Sequence, residues 1–179
     1  MHKCSDPIYQ ENYIWDKIWS RSYASYEKHH QVFWDIIRSK VKGKILDIAC
    51  GSSSMWRGTD KEVWGVDFSY NALTESIKNN PMGHYLNDDV PTPYYDGKLF
   101  DTIIASGLVN YLPELSGIKE MIRLAGKPGT SIFITINVIE DFPERVWDED
   151  RIHKEFDSLG DLTCSFSEGI GWMIEIVAR

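Results

Sequence analysis

Short apolar runs alternate with stretches of helical periodicity along most of this chain, and that alternation limits the fold more than any other feature. The runs are Lys44–Ile48, Glu62–Asp67, Leu99–Ser106 and Ser131–Ile136. The first ends in Ala49-Cys50-Gly51-Ser52-Ser53-Ser54, where small residues and hydroxyls suit a tight turn and a helix N-cap, so strand, turn, helix is expected there. The second leads into a helical stretch from Tyr70 to Asn79, stopped by Pro81. A shorter run, Gly83 to Asn87, precedes a loop with Pro91 and Pro93. Leu99–Ser106 is apolar without alternation, which predicts a central strand buried on both faces. Pro113 to Ala125 places Leu115, Ile118 and Ile122 at helical spacing before Gly126-Lys127-Pro128-Gly129.

The two ends complete the pattern. From Asp6 to about Lys42, Ile14 and Ile18, then Val32, Phe33, Ile36 and Ile37, predict two helices before the first strand. Pro143 to Ser158 reads as helix, and Asp161 to Ser167 with Gly171 to Ala178 reads as an antiparallel hairpin. The expected fold is therefore α/β: a doubly wound, mostly parallel seven-stranded sheet closed by a C-terminal antiparallel hairpin, its ligand crevice at the carboxyl ends of the strands. One domain over residues 1–179 is expected, with a helical cap at 1–42 and a core at 43–179.

Composition narrows the partners. The net charge of −8 disfavours nucleic acid, whose binding needs clustered Lys and Arg. Residues 1–44 hold eight Lys/Arg against five acids, so about −11 falls on the remainder; an acidic surface is the plain reading, and a field favouring a cationic or amine ligand the functional one. No apolar run is long enough to span a bilayer and the first residues lack a secretory core, so a cytoplasmic protein with no membrane partner is expected. Cys4, Cys50 and Cys164 lie far apart, and reduced thiols follow. No metal is expected, because His2, His29, His30, His84 and His153 form no pair at three or four spacing on one helix. The oligomeric state is not legible.

Asp47, the Gly51 turn, Asp67 and then Asp88 and Asp89 put acids at the ends of three successive strands. Asp67 stands twenty residues after Asp47, a spacing suited to a carboxylate that accepts hydrogen bonds from a ribose diol. A nicotinamide-binding domain would need three glycines where Asp47 to Ser53 supplies only Gly51. Across essentially its whole length the sequence resembles the class I S-adenosylmethionine-dependent methyltransferases. Ile45 to Gly51 looks like the family's first motif, Val66 to Ser69 its second, Asn87 through Pro93 its third and Phe100 to Leu112 its fourth; Lys127-Pro128-Gly129 resembles the loop before its fifth strand.

That resemblance implies a Rossmann-like methyltransferase fold and S-adenosylmethionine as cofactor, with S-adenosylhomocysteine as product. It implies that backbone at Ala49, Cys50 and Gly51 approaches the methionine part, that Asp47 orients the ammonium group, and that Asp67 takes the ribose hydroxyls. Phe68 would pack on adenine, Asp88, and less readily Asp89, would accept from its exocyclic amine, and the chain at Ala105-Ser106 would line the methionine end. The family usually carries glycine where Ala49 and Ser53 stand, and only sixteen residues separate Gly51 from Asp67, which predicts a following helix about a turn short.

Methyl transfer from a sulfonium needs alignment more than catalytic side chains, although an N–H or O–H acceptor must lose a proton. By residue type His29, His30, His84 and Glu140 are candidate bases, and no catalytic residue is singled out. Tyr13, Trp15 and Trp19, with Tyr23 and Tyr26, form an aromatic opening segment that either seals the sheet or faces the substrate. The space between the fifth strand and the hairpin admits about one helix, so a small-molecule N- or O-acceptor is expected. The alternatives are a protein side-chain methyltransferase and a catalytically silent cofactor-binding partner subunit.

Overall fold

The computed structural model describes residues 23–88, 99–138 and 146–179, with side chains of the first helix from His30 onward. The first of the two expected N-terminal helices, with Tyr13, Trp15 and Trp19, lies outside these residues. Helix α1 spans Tyr23–Lys40, followed by β1 (Ile45–Ile48), a 3-10 turn (Ser54–Trp56), β2 (Val63–Asp67), α2 (Tyr70–Asn79), β3 (His84–Asn87) and β4 (Thr102–Ser106). Then come α3 (Ser116–Ala125), β5 (Ser131–Asn137), α4 (Glu149–Phe156), a second 3-10 turn (Asp157–Leu159), β6 (Gly160–Ser167) and β7 (Gly171–Ala178).

The strands form one seven-stranded sheet in the order β3-β2-β1-β4-β5-β7-β6. The first five pair in parallel, and β7 runs antiparallel between β5 and β6, which is the expected doubly wound sheet with its hairpin. β4 is central, and its Thr102, Ile103, Ile104 and Ala105 are all buried. Such strands can be apolar throughout because helices cover both faces. On one face Ile103, Ile132 and Ile174 pack under Ile118, Met121 and Ile122 of α3 and Ile152 and Phe156 of α4. On the other Ile45, Ile104 and Phe133 pack against Phe33, Trp34 and Ile37 of α1.

Four local expectations need correction. The helix expected after Gly51 is reduced to the single 3-10 turn Ser54–Trp56, because Ser53 enters it in the left-handed region without a side-chain cap and Arg57 leaves it extended. The fully buried Trp56 fills the space that helix would have covered. The buried stripe of α1 is Phe33, Trp34 and Ile37, whereas Val32 and Ile36 are 47% and 37% exposed; helical phase, not hydrophobicity, decides which side meets the sheet. Helix α3 starts at Ser116, three residues inside the expected Pro113 boundary. Helix α4 starts at Glu149, where Asp148 Oδ1 caps it by accepting from Arg151 N at 2.8 Å, and Asp157 to Ser158 belong to the following 3-10 turn.

No helix among the described residues is long and apolar enough to cross a membrane.

Candidate functional site

At the carboxyl end of β1 the chain turns sharply, and three of five successive residues, Ala49, Gly51 and Ser53, adopt positive φ near 53°, 54° and 52°. For Ala49 and Ser53 this left-handed conformation costs roughly 1 to 2 kcal/mol each, because Cβ crowds the following carbonyl. The backbone therefore keeps a glycine-type turn at the two positions where the sequence departs from glycine. Neighbouring groups hold it. Cys50 N donates to Val66 O at 3.0 Å, Ser76 Oγ of α2 donates to Gly51 O at 2.7 Å, and Asn79 Nδ2 donates to Ser52 O at 2.9 Å. Gly65 on β2 permits this approach: a Cβ there would lie 2.7 Å from both Cys50 Sγ and Tyr85 Cδ1.

Asp47 is 3% exposed, and its Oδ2 accepts from the indole Nε1 of Trp56 at 2.7 Å. Burial, aided by the nearby Asp67 charge and opposed by the Trp56 hydrogen bond, pushes its carboxyl up to about 7. Asp67 is 4% exposed and spans the two loops: Oδ2 accepts from Gly51 N and Oδ1 from Ser69 N, both at 2.8 Å. Burial first, then the Asp67 and Asp47 charges, push the Cys50 thiol well above its ordinary range, so it is not a nucleophile here.

Ser106, at the end of β4, accepts from Trp34 Nε1 of α1 at 3.3 Å and shares a 3.0 Å hydrogen bond with Thr135 Oγ1. Trp34, Asp47, Gly51, Ser53, Met55 and Ser106 line a small cleft at this point. The structure thus brings Asp47, Ala49, Cys50, Gly51 and Ser106 around one opening. Asp67 lies directly behind the turn. Phe68 and Asp88 are half-buried on the β2 and β3 side, where Asn87 Nδ2 donates to Phe68 O at 2.8 Å and Asp88 N to Asp67 O at 3.2 Å. Asp89 falls outside the described residues.

Of the candidate bases, His30 is buried, stacks on Trp34 with ring centroids 5.8 Å apart, and lies 3.2 Å from Asn137 Nδ2 through Nε2. An amide N–H there makes Nε2 the acceptor, as in a neutral imidazole. Asn137 and Asn110 lock the neighbouring loops: Asn110 Nδ2 donates to Asn137 O at 2.9 Å and Asn137 N to Asn110 Oδ1 at 3.0 Å. His84 instead begins the edge strand β3, stacked on Trp64 at the end of the sheet away from the turn. Glu140 and the side chain of His29 are outside the described residues. Sequence reasoning missed Trp34, Thr135 and the two asparagines; Trp34 was visible only as one more apolar residue in a helical stripe.

A seven-stranded sheet of this order, with an acid-flanked turn after its first strand and a second acid after the next, is the class I S-adenosylmethionine-dependent methyltransferase fold, and this chain has it. No family model matches the sequence. Among curated proteins it is similar to the demethylmenaquinone methyltransferase of Beutenbergia cavernae, 25% identical over 136 residues, which covers 74% of this chain and 50% of that protein. The chain thus spans half the length of the relative it matches. Among solved structures it resembles the DhpI complex with S-adenosylhomocysteine (TM-score 0.68, 13% identity, 92% of each chain). It also resembles a TehB-like S-adenosylmethionine-dependent methyltransferase from Corynebacterium glutamicum (TM-score 0.67, 16% identity, 97% of this chain and 100% of that one).

Proposed function

We propose that this chain is an S-adenosylmethionine-dependent methyltransferase that methylates nitrogen or oxygen of a small-molecule acceptor. The observation that carries the reading is the pair of buried carboxylates, Asp47 and Asp67, flanking a strained glycine-type turn at the ends of adjacent parallel strands. Asp47, whose carboxyl burial pushes up to about 7, is costly to ionise at its buried position unless a cation meets it. The ammonium group of the cofactor supplies such a cation, so the donor set fits the group. The relative and the structural neighbours support the same reading.

When bound, S-adenosylmethionine supplies a sulfonium-activated methyl group, which passes in line to a lone pair of the acceptor while the sulfur keeps the bonding electrons as S-adenosylhomocysteine. Asp47 would hold the ammonium, and backbone at Ala49, Cys50 and Gly51 would approach the methionine part. Asp67 would take the ribose hydroxyls, Phe68 and Asp88 would meet the adenine, and Ser106 would bound the methionine end. Trp34 closes the opening from α1. The acceptor's proton passes to solvent, because His30, whose Nε2 accepts from Asn137 and whose Nδ1 then carries the ring proton, serves to pack and position Trp34.

A screen of small amines, phenols and carboxylic acids with methyl-labelled cofactor tests this. Label transfer to at least one acceptor class is expected. Methylation of peptides but of no small molecule would overturn the acceptor assignment.

A further inference from the structure

Away from the crevice, helix α4 and the edge strand β6 bring together Glu149, His153 and Cys164, with one donor atom from each within 4.8 Å of the other two. Glu149 and His153 are four residues apart and so share one face of α4. Cys164 packs with Leu162 against the core cluster that contains Ile152 and Phe156, which puts its thiol on the face of the sheet that α4 covers. His153 Nδ1 is held by Asp157 Oδ1 at 2.8 Å. None of these residues serves the cofactor crevice, because β6 is separated from β1 by β7, β5 and β4.

We propose that Glu149, His153 and Cys164 form a site for a divalent transition cation, best matched to Zn2+, which ties α4 to the exposed edge of the sheet. A carboxylate oxygen, an imidazole nitrogen and a thiolate sulfur suit Zn2+, whereas Mg2+ and Ca2+ prefer all-oxygen shells. Glu149 is exposed, so water completes a tetrahedral shell as the fourth ligand. Asp157, by occupying Nδ1, directs the other ring nitrogen, Nε2, to the metal; this is the carboxylate–histidine–metal arrangement that orients a ligand ring. Binding converts the Cys164 thiol to thiolate and releases its proton to solvent. Because α4 leads through one 3-10 turn directly into β6, the cation would close a short loop at one of the two edge strands of the described sheet.

The test uses untagged full-length protein stripped with a chelator and titrated with Co2+. One equivalent is expected to produce a thiolate-to-cobalt charge-transfer band, absent in Cys164→Ser, and Zn2+ is expected to bleach it. Zn2+ should raise the melting temperature of the wild type and not of His153→Ala, and Asp157→Ala should weaken Zn2+ binding about ten- to a hundred-fold. Melting of the metal-free variants checks that each folds. Absence of the band at one equivalent, or a band and thermal shift that persist in Cys164→Ser, would overturn the proposal.

Discussion

At Asp67 two backbone amides and a proposed ligand compete for one carboxylate. Gly51 N and Ser69 N each donate a charge-assisted hydrogen bond to it, worth about 1.5 to 3 kcal/mol. Asp67→Ala should therefore lose about 3 kcal/mol or more of stability in denaturant titration, besides weakening cofactor binding. The sequence alone suggested a residue that accepts from a ribose diol; its burial at 4% adds a structural role. Asp47 titrates near 7, above the ordinary carboxylate value near 4, so the folded state takes up a proton in that window that the unfolded state does not. Its contribution is thus a loss of stability as pH rises from about 4 to about 7, amounting to about 2 to 4 kcal/mol. Thermal melts across that range should show a decline that Asp47→Asn removes. Ala49→Gly should raise stability by about 0.5 to 1 kcal/mol, because relief at φ near 53° exceeds the added freedom of the unfolded chain.

The elements differ in how openly the sequence announces them. β1, its turn, β2 and Ser69-capped α2 were legible because each is specified locally, by an apolar run, small residues or a cap with Ser69 Oγ 3.2 Å from Ala72 N. The shrunken helix after Gly51 was legible only as a shortage of residues. What replaces it, Trp56 with its indole on Asp47, depends on a contact between side chains nine residues apart and a cavity that only the assembled sheet defines. Trp56→Ala should accordingly cost about 3 to 5 kcal/mol, at the upper end for its size because it also orphans a buried carboxylate. The buried face of α1 was not legible because Val32 and Ile36 are as apolar as the Phe33 and Ile37 they flank; sequence records hydrophobicity, but not which side of a helix meets the sheet. The Glu149, His153 and Cys164 cluster escaped a search for paired histidines, since its third donor arrives from a strand beyond a turn. A Glu and a His four residues apart on the acidic stretch were the available signal.

Over the whole molecule, the doubly wound sheet makes its carboxyl edge the place where buried acids, a strained turn and the capping helix α1 meet. The C-terminal hairpin completes the sheet beyond β5, with its turn at the same edge, where Gly171 pairs with Asn137. The central claim is that the cleft between β1 and β4 receives an adenosyl cation at Asp47. Calorimetric titration of the untagged chain with S-adenosylmethionine, at about pH 6 and about pH 8, tests it most directly. The account predicts one-site binding that tightens at the higher pH as Asp47 ionises, and loss of that pH dependence in Asp47→Asn. No binding at either pH, or equal affinity at both in the wild type, would contradict it.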